Sequence, residues 1–420
     1  MRLCYNELMR DIKIVKTEID KQLALPASKL SVVNLVDFII EYAYTSRSSD
    51  VHIQPEGEAV RIRFRVDGLL RDVFPGEKIS KELHHEMISR IKVISGLRTD
   101  EHSMPQDGRF RVKLESAEEV DVRVSIMPTY YGENAVMRIL AETRGFALKD
   151  IGFGAKDLVK VEHAIKKPYG MVLASGPTSS GKTTTLYTML KELDKPETSI
   201  ITIEDPIEYS LAGTTQIQVE DKTGLTFASG LRSILRQDPN VVMVGEIRDE
   251  ETAAIAVNAA LTGHLVLSTL HTNDAATAFP RLIDMGVQPF LVASTVNIAV
   301  GQRLVRSICS NCKKERVLTL AEISSLAEIF PKDAVMKAKT FYQGTGCEVC
   351  SGSGYEGRLG IREVLEVTDE IRGLIMERAS SQKIEAAAVR AGMTTMLIDG
   401  IQKAAKGLTT IEEVLRIIHE

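Results

Sequence analysis

The stretch ASGPTSSGKTTTLYTML, residues 174–190, constrains this chain more than any other. Residues 171–174 are apolar or small and read as a buried strand. Gly176, Pro177, Thr178, Ser179, Ser180, Gly181, Lys182 and Thr183 then fit G-x-x-x-x-G-K-[ST], and Thr184 and Leu186 open a helix. Strand, loop and helix in that order form the context in which this pattern holds phosphate. Small side chains leave backbone N–H groups free to face phosphate oxygens, and the helix N-terminus adds partial positive charge. Lys182 is placed to reach the β- and γ-phosphates, and the Thr183 hydroxyl to ligate Mg²⁺. The stretch predicts a bound nucleoside triphosphate.

A loop of this kind needs carboxylates nearby, to hold the Mg²⁺ shell and orient water. In open parallel sheets, ligands sit at the carboxyl ends of the strands. Two further apolar runs end in acids. Residues 199–203 lead to Glu204, Asp205 and Glu208, and residues 241–244 lead to Gly245 and Glu246. The second run is similar to a Walker B element, with glycine where aspartate is usual. Either Glu204 or Glu246 fits a catalytic carboxylate, and solvated acids at strand ends are the alternative. A third run, 265–267, is flanked by His264 and His271. These histidines fit a contact with nucleotide or with a neighbouring domain, and they equally fit structural hydrogen bonding.

Continuous apolar runs alternating with helical stretches predict a parallel α/β sheet from residue 155 onwards. Residues 32–44 carry apolar positions at helical spacing, residues 60–66 alternate strictly with Arg61, Arg63 and Arg65 on one face, and residues 81–97 read as a helix. Further strands at 109–112, 120–126 and 135–140 complete an α+β unit. The predicted organisation is a linker or truncated leader at 1–30, an α+β domain at 31–144, a linker at 145–154, the nucleotide-binding core at 155–302, a cysteine insert at 303–360 and a helical C-terminus at 361–420.

Cys309, Cys312, Cys347 and Cys350 form two C-x2-C pairs with 34 residues between them. Four thiolates at this spacing suit a closed tetrahedral Zn²⁺ site of structural type. Reduced thiols or a redox pair are the alternative. The long segment between the pairs has room for a helix over residues 320–329. Cys4 stands apart and reads as a plain thiol.

Composition narrows the function. A net charge of −5 lacks the basic footprint of a dedicated nucleic-acid binder. No run of 18 apolar residues occurs, so direct membrane insertion is not expected, and no signal-peptide core stands at the N-terminus. A cytoplasmic protein follows as the expectation.

Taken together, the motifs resemble the secretion ATPases of type II secretion and type IV pilus assembly. The resemblance is carried by SDVHIQP at 49–55, PQDGR at 105–109, DVRVS at 121–125, the phosphate loop, ITIEDPIEY, VVMVGEIRD, TGHLVLSTLHTN, Gln302-Arg303-Leu304-Val305 and the four cysteines. It implies a homo-hexamer that hydrolyses ATP with Mg²⁺ to drive extrusion of pilins or pseudopilins. Each subunit would pair a PAS-like N-terminal domain with a RecA-like motor domain. It implies a place at the cytoplasmic face of the inner membrane, against a membrane platform protein. Carried over by motif, Lys182 and Thr183 bind nucleotide and Mg²⁺. Glu246 supports Mg²⁺ or its water, and Glu204 is a candidate base. Arg109, Arg123 and Arg138 match arginines that approach the phosphates; each also fits a fold-stabilising ion pair. ATP is expected to close the N-terminal domain over the motor domain, with the glycine-containing linker as hinge. Two other readings are a RecA-like nucleic-acid translocase and a non-motor ATP-dependent switch.

Overall fold

Two kinds of strand pattern build two kinds of sheet. The computed structural model describes residues 2–26, 29–57, 59–74, 79–115, 120–140, 147–329 and 340–419. These form two units, Met1–Thr143 and Arg144–Glu420, each considered by itself.

The first unit runs α1 (Arg2–Leu23), α2 (Val32–Thr45), β1 (Ser48–Glu56), β2 (Ala59–Val66), β3 (Leu69–Asp72), α3 (Lys81–Ile94), β4 (Gln106–Val112), β5 (Val120–Thr129) and β6 (Gly132–Leu140). Its sheet has the order β3-β2-β1-β6-β5-β4, and every pairing is antiparallel. Alternation decides which face is which. Val60, Ile62 and Phe64 are buried, while Arg61, Arg63 and Arg65 lie on the opposite face. Ile53, Val122, Ile126 and Met137 join them under α2, whose first turn is capped by the Ser31 hydroxyl accepting from the Asn34 N–H. Residues 2–23 differ from the expected linker. They form a helix that packs Val15 and Ile19 into this core. The charged residues between the apolar positions mask the period, and the helix packs against α2.

The second unit runs α4 (Ala155–Ile165), β7 (Gly170–Ser175), α5 (Lys182–Leu193), β8 (Ile200–Glu204), β9 (Thr214–Gln218), α6 (Phe227–Ile234), β10 (Val241–Val244), α7 (Glu250–Leu261), β11 (Leu265–Leu270), α8 (Ala278–Asp284), α9 (Pro289–Thr295) and β12 (Val296–Ile308). It continues with β13 (Lys313–Arg316), α10 (Leu320–Ile329), β14 (Phe341–Gly344), β15 (Tyr355–Glu366), α11 (Asp369–Met376), α12 (Ser381–Arg390), α13 (Met396–Ala405) and α14 (Ile411–His419). The sheet order is β15-β12-β7-β11-β10-β8-β9. All neighbours are parallel except β12 and β15.

β7, β8, β10 and β11 are buried on both faces, as their unbroken apolar runs require. Met171 and Leu173 of β7 turn to one side with Val242, Val244 and Phe279. Val172 and Ala174 turn to the other with Leu186, Tyr187 and Leu267. Each fully buried large aliphatic side chain contributes about 1.5–3 kcal/mol.

Three expected boundaries move. Residues 303–308 and 355–360 belong to the core sheet, as the outer halves of β12 and β15, and not to a separate insert. Arg303, Arg306 and Arg358 interrupt the apolar pattern there. Of the expected linker, residues 145 and 146 lie outside the described residues, and Leu148 and Ile151 are buried in the second unit's core. Burial of Arg362 locks this stretch further: its guanidinium donates to the Ile151 carbonyl and stacks on Phe153.

Candidate functional site

The loop at 176–183 has the strand and helix its sequence predicts. All of β7 is buried, and α5 begins at Lys182. Glycine is required at two points. Gly176 has φ +147°, and a Cβ there would lie 2.4 Å from the Gln302 carbonyl oxygen. Gly181 caps α5 with φ +88°, a left-handed conformation. Lys182 is 8% exposed, and its Nζ donates to the carbonyls of Gly176 at 2.7 Å and Pro177 at 2.9 Å. Burial holds this ammonium down at about 8, with Glu246 opposing the shift. A nearly buried ammonium wrapped by its own loop is a strong anion site. Thr178 and Ser179 are exposed, Pro177, Thr183 and Thr184 are half-buried, and Ser180 is buried.

Glu204 ends β8 and Glu246 follows β10, on neighbouring parallel strands. Their surroundings differ. Glu204 is 3% exposed and fully engaged. Its carboxylate accepts from the Thr202 hydroxyl at 2.6 Å, from Gln216 Nε2 at 3.1 Å and from the Tyr187 hydroxyl. Burial and the negative charge of Glu204 both raise the Tyr187 phenol's pKa. A carboxylate holding three donors is poorly suited to take a proton from water, so the geometry favours a structural Glu204 that ties β8 to α5. Glu246 is held from outside. His271 Nε2 donates to one oxygen at 2.9 Å and Arg248 to the other at 2.5 Å. The glycine in place of the usual aspartate also has a cause. A Cβ on Gly245 would stand 3.3 Å from both the Glu204 Cα and the Ile203 carbonyl oxygen.

His264 does not join the site. It precedes β11, at the end of the sheet opposite the loop, where its carbonyl accepts from Gly170 N–H. Its Nδ1 lies 3.0 Å from the Ala259 carbonyl at the end of α7. A strand of six residues, roughly 20 Å at about 3.3 Å per residue, separates it from His271. The sequence left both histidines as contacts with nucleotide or a neighbouring domain, or as structural hydrogen-bonding groups; the structure places His271 beside Glu246 and His264 against the end of α7.

Strand register gathers the three expected arginines in one row. Arg109 pairs with Arg123, Arg123 with Arg138, and Arg138 with Asp50. Directly paired residues share a face. Arg109 bonds Asp121 at 3.0 Å, and Arg138 bonds Asp50 at 3.0 Å. Both guanidinia remain well exposed. The row is therefore a stiff, cationic stripe within the first unit.

The four cysteine sulfurs converge. Cys309 and Cys347 Sγ are 3.8 Å apart, Cys312 and Cys350 3.8 Å, and Cys347 and Cys350 3.7 Å. All four lie within 4.8 Å of one another. Zn–S bonds of about 2.3 Å at tetrahedral angles place sulfurs about 3.8 Å apart, so the donor set fits Zn²⁺. A disulfide needs about 2.05 Å. Backbone N–H groups of Cys347 and Gly354 point at Cys350 Sγ, and Asn311 Nδ2 at Cys347 Sγ. The Asn311 contact holds the Cys347 thiol down at about 6, whereas burial pushes Cys309 up to about 12. Thiolates stabilised by N–H donors are what a structural zinc centre uses. The helix expected between the pairs is α10.

Tyr187, Gln216 and Gln302 were missed as site residues. The first two carry no local signal. Gln302 stood in a recognised motif but without a role.

A glycine-rich loop at the head of a helix, with carboxylates at adjacent strand ends of a parallel sheet, defines the class as an α/β protein of nucleotide-loop type. The chain belongs to the type II/IV secretion system protein family, which it matches over residues 27–416. It is 43% identical over 408 residues to the type IV pilus assembly ATPase PilB of Myxococcus xanthus, covering 96% of this chain and 71% of that one. It is 45% identical over 392 residues to the type II secretion system ATPase E of Vibrio cholerae, covering 93% and 76%. Among solved structures it is similar to the pilus retraction motor PilT with bound ADP, at 25% identity and TM-score 0.62, covering 91% and 96%. It shares its fold with the ATPase DotB of Legionella pneumophila, at 22% identity and TM-score 0.69, covering 94% and 98%. Among the described residues no helix is long and apolar enough to cross a membrane.

Proposed function

We propose that this chain hydrolyses ATP to power pilus assembly or type II secretion. The observation that carries this reading is Lys182 buried in its glycine loop, on the same sheet end as a Glu246 oriented by His271. Gly176 to Thr184 bind the triphosphate. Lys182 exchanges its two carbonyl partners for phosphate oxygens. The Thr183 hydroxyl holds Mg²⁺, which supplies charge neutralisation between the phosphates. Glu246 orients or deprotonates the attacking water. Arg109, Arg123 and Arg138, on their rigid strands, supply cations to the phosphates in the working assembly.

We read the first unit as a PAS-like domain and the second as a RecA-like motor with a zinc staple. The working form is a homo-hexamer at the cytoplasmic face of the inner membrane, pushing on a platform protein there. Similarity to relatives named for both pilus assembly and type II secretion supports this range of function. The test is phosphate release from ATP and Mg²⁺ by the purified chain and by Lys182→Ala. Turnover by the parent and none by the variant supports the reading; no turnover by either rejects it.

A further inference from the structure

Gln302 is fully buried, lies on β12, and touches the nucleotide loop from both ends. The last paired residues of β12 and β7 are Gly301 and Ser175. One step further along, Gln302 stands beside Gly176, the first loop residue. Its main-chain oxygen fills the space that only glycine at 176 leaves open. Its side chain turns to the far end of the loop. Nε2 donates to the Ser180 carbonyl at 2.8 Å, and Oε1 accepts from the Thr185 hydroxyl at 2.7 Å. One amide thus bridges the last loop turn and the first helical turn of α5.

We propose that Gln302 is a positioning residue for phosphate binding, and this rests on the nucleotide-binding reading given above. In a trans peptide the C=O and N–H point in opposite directions. Gln302 holds the Ser180 carbonyl on the outer side of the loop, against β12. The N–H of the same peptide, that of Gly181, is thereby turned to the inner side, where phosphate oxygens bind helix N-termini. The left-handed φ of Gly181 lets the chain pass from this fixed peptide straight into α5. Without Gln302 the peptide between Ser180 and Gly181 is free to rotate, and a buried carbonyl loses its donor. The Ser180 carbonyl fixes the amide's orientation, because it can only accept and so requires Nε2, which leaves Oε1 to accept from the Thr185 hydroxyl.

Equilibrium binding of ATP·Mg²⁺ and of ADP to the full chain tests this, with Gln302→Met, Gln302→Leu and Thr185→Val. Gln302→Met keeps the volume and removes both bonds. Gln302→Leu also removes both bonds, with a shorter side chain and no added charge. Both should weaken ATP and ADP binding by about tenfold or more, as loss of a buried hydrogen bond implies. KM for ATP should rise by the same factor with kcat little changed, a split that general loss of folded protein does not produce. Thr185→Val should weaken binding less, and should add nothing further on top of Gln302→Met. If Gln302→Met folds poorly, Gln302→Leu decides alone. Binding within twofold of the parent in either folded variant overturns the proposal while leaving the function intact. Failure of the parent chain itself to bind ATP overturns both.

Discussion

His271 Nε2 stands 2.9 Å from Glu246 Oε2, across the ends of two neighbouring parallel strands. The histidine aims the carboxylate, and Arg248 holds its second oxygen. His271→Ala is expected to leave ATP affinity near the parent value and lower kcat by about tenfold or more, since misplacing a reacting group is costly. His271→Gln, which keeps a donor at similar reach, should recover part of the rate. Steady-state kinetics with a direct ATP-binding measurement checks both.

Lys182 gives a pH dependence with a definite sign. Burial holds its ammonium at about 8 against the ordinary 10.5. Between these values the folded chain binds fewer protons than the unfolded one, so nucleotide-free stability rises with pH across that window. Below pH 8 the cost of burying the charge is fully present. Lys182→Met should therefore be more stable than the parent at pH 7 without nucleotide. The advantage should shrink as pH rises from about 8 to 10.5. Denaturant unfolding at several pH values measures it.

Glu204→Gln tests the structural role of the β8 carboxylate. The amide nitrogen would face donors from Tyr187, Thr202 and Gln216. Loss of about 1–3 kcal/mol is expected from the unsatisfied donors, read as a lower unfolding midpoint. ATP turnover per folded molecule should fall far less than for a variant at Glu246.

The cysteine centre should hold one Zn²⁺ per chain. The sulfur spacing fits tetrahedral coordination, and β13 and β14 form a small two-stranded sheet beside it. Protein purified without chelator should carry equimolar zinc, and removal should lower thermal stability without abolishing ATP binding. Metal analysis that finds no zinc contradicts the assignment.

Much of this was legible because the signals are local. The loop, its strand and its helix are contiguous, and the runs 171–174, 241–244 and 265–267 are apolar throughout. The cysteine spacing is equally direct. Residues whose roles depend on long-range register were not legible. Nothing in the sequence pairs Gln302 with Ser180 and Thr185, more than a hundred residues away. The cage around Glu204 needs the packing of α5 on β8. The row of Arg109, Arg123 and Arg138 appears only when three strands align. β12 and β15 were not read as strands, and their outer halves went to the insert, because arginines there hide the strand period; His264 looked equivalent to His271 because the sequence does not say which strand end faces the loop.

The most direct test of the central claim is single-turnover phosphate release by Glu246→Gln beside the parent chain, with ATP and Mg²⁺ in both. Glu246 stands at the strand end with one oxygen held by His271 and the other by Arg248. The account predicts that the variant binds ATP about as tightly as the parent and releases phosphate at least ~10²-fold more slowly, within the range a general base contributes. Phosphate release at the parent rate would contradict it, because the proton would then be leaving the water through some other group.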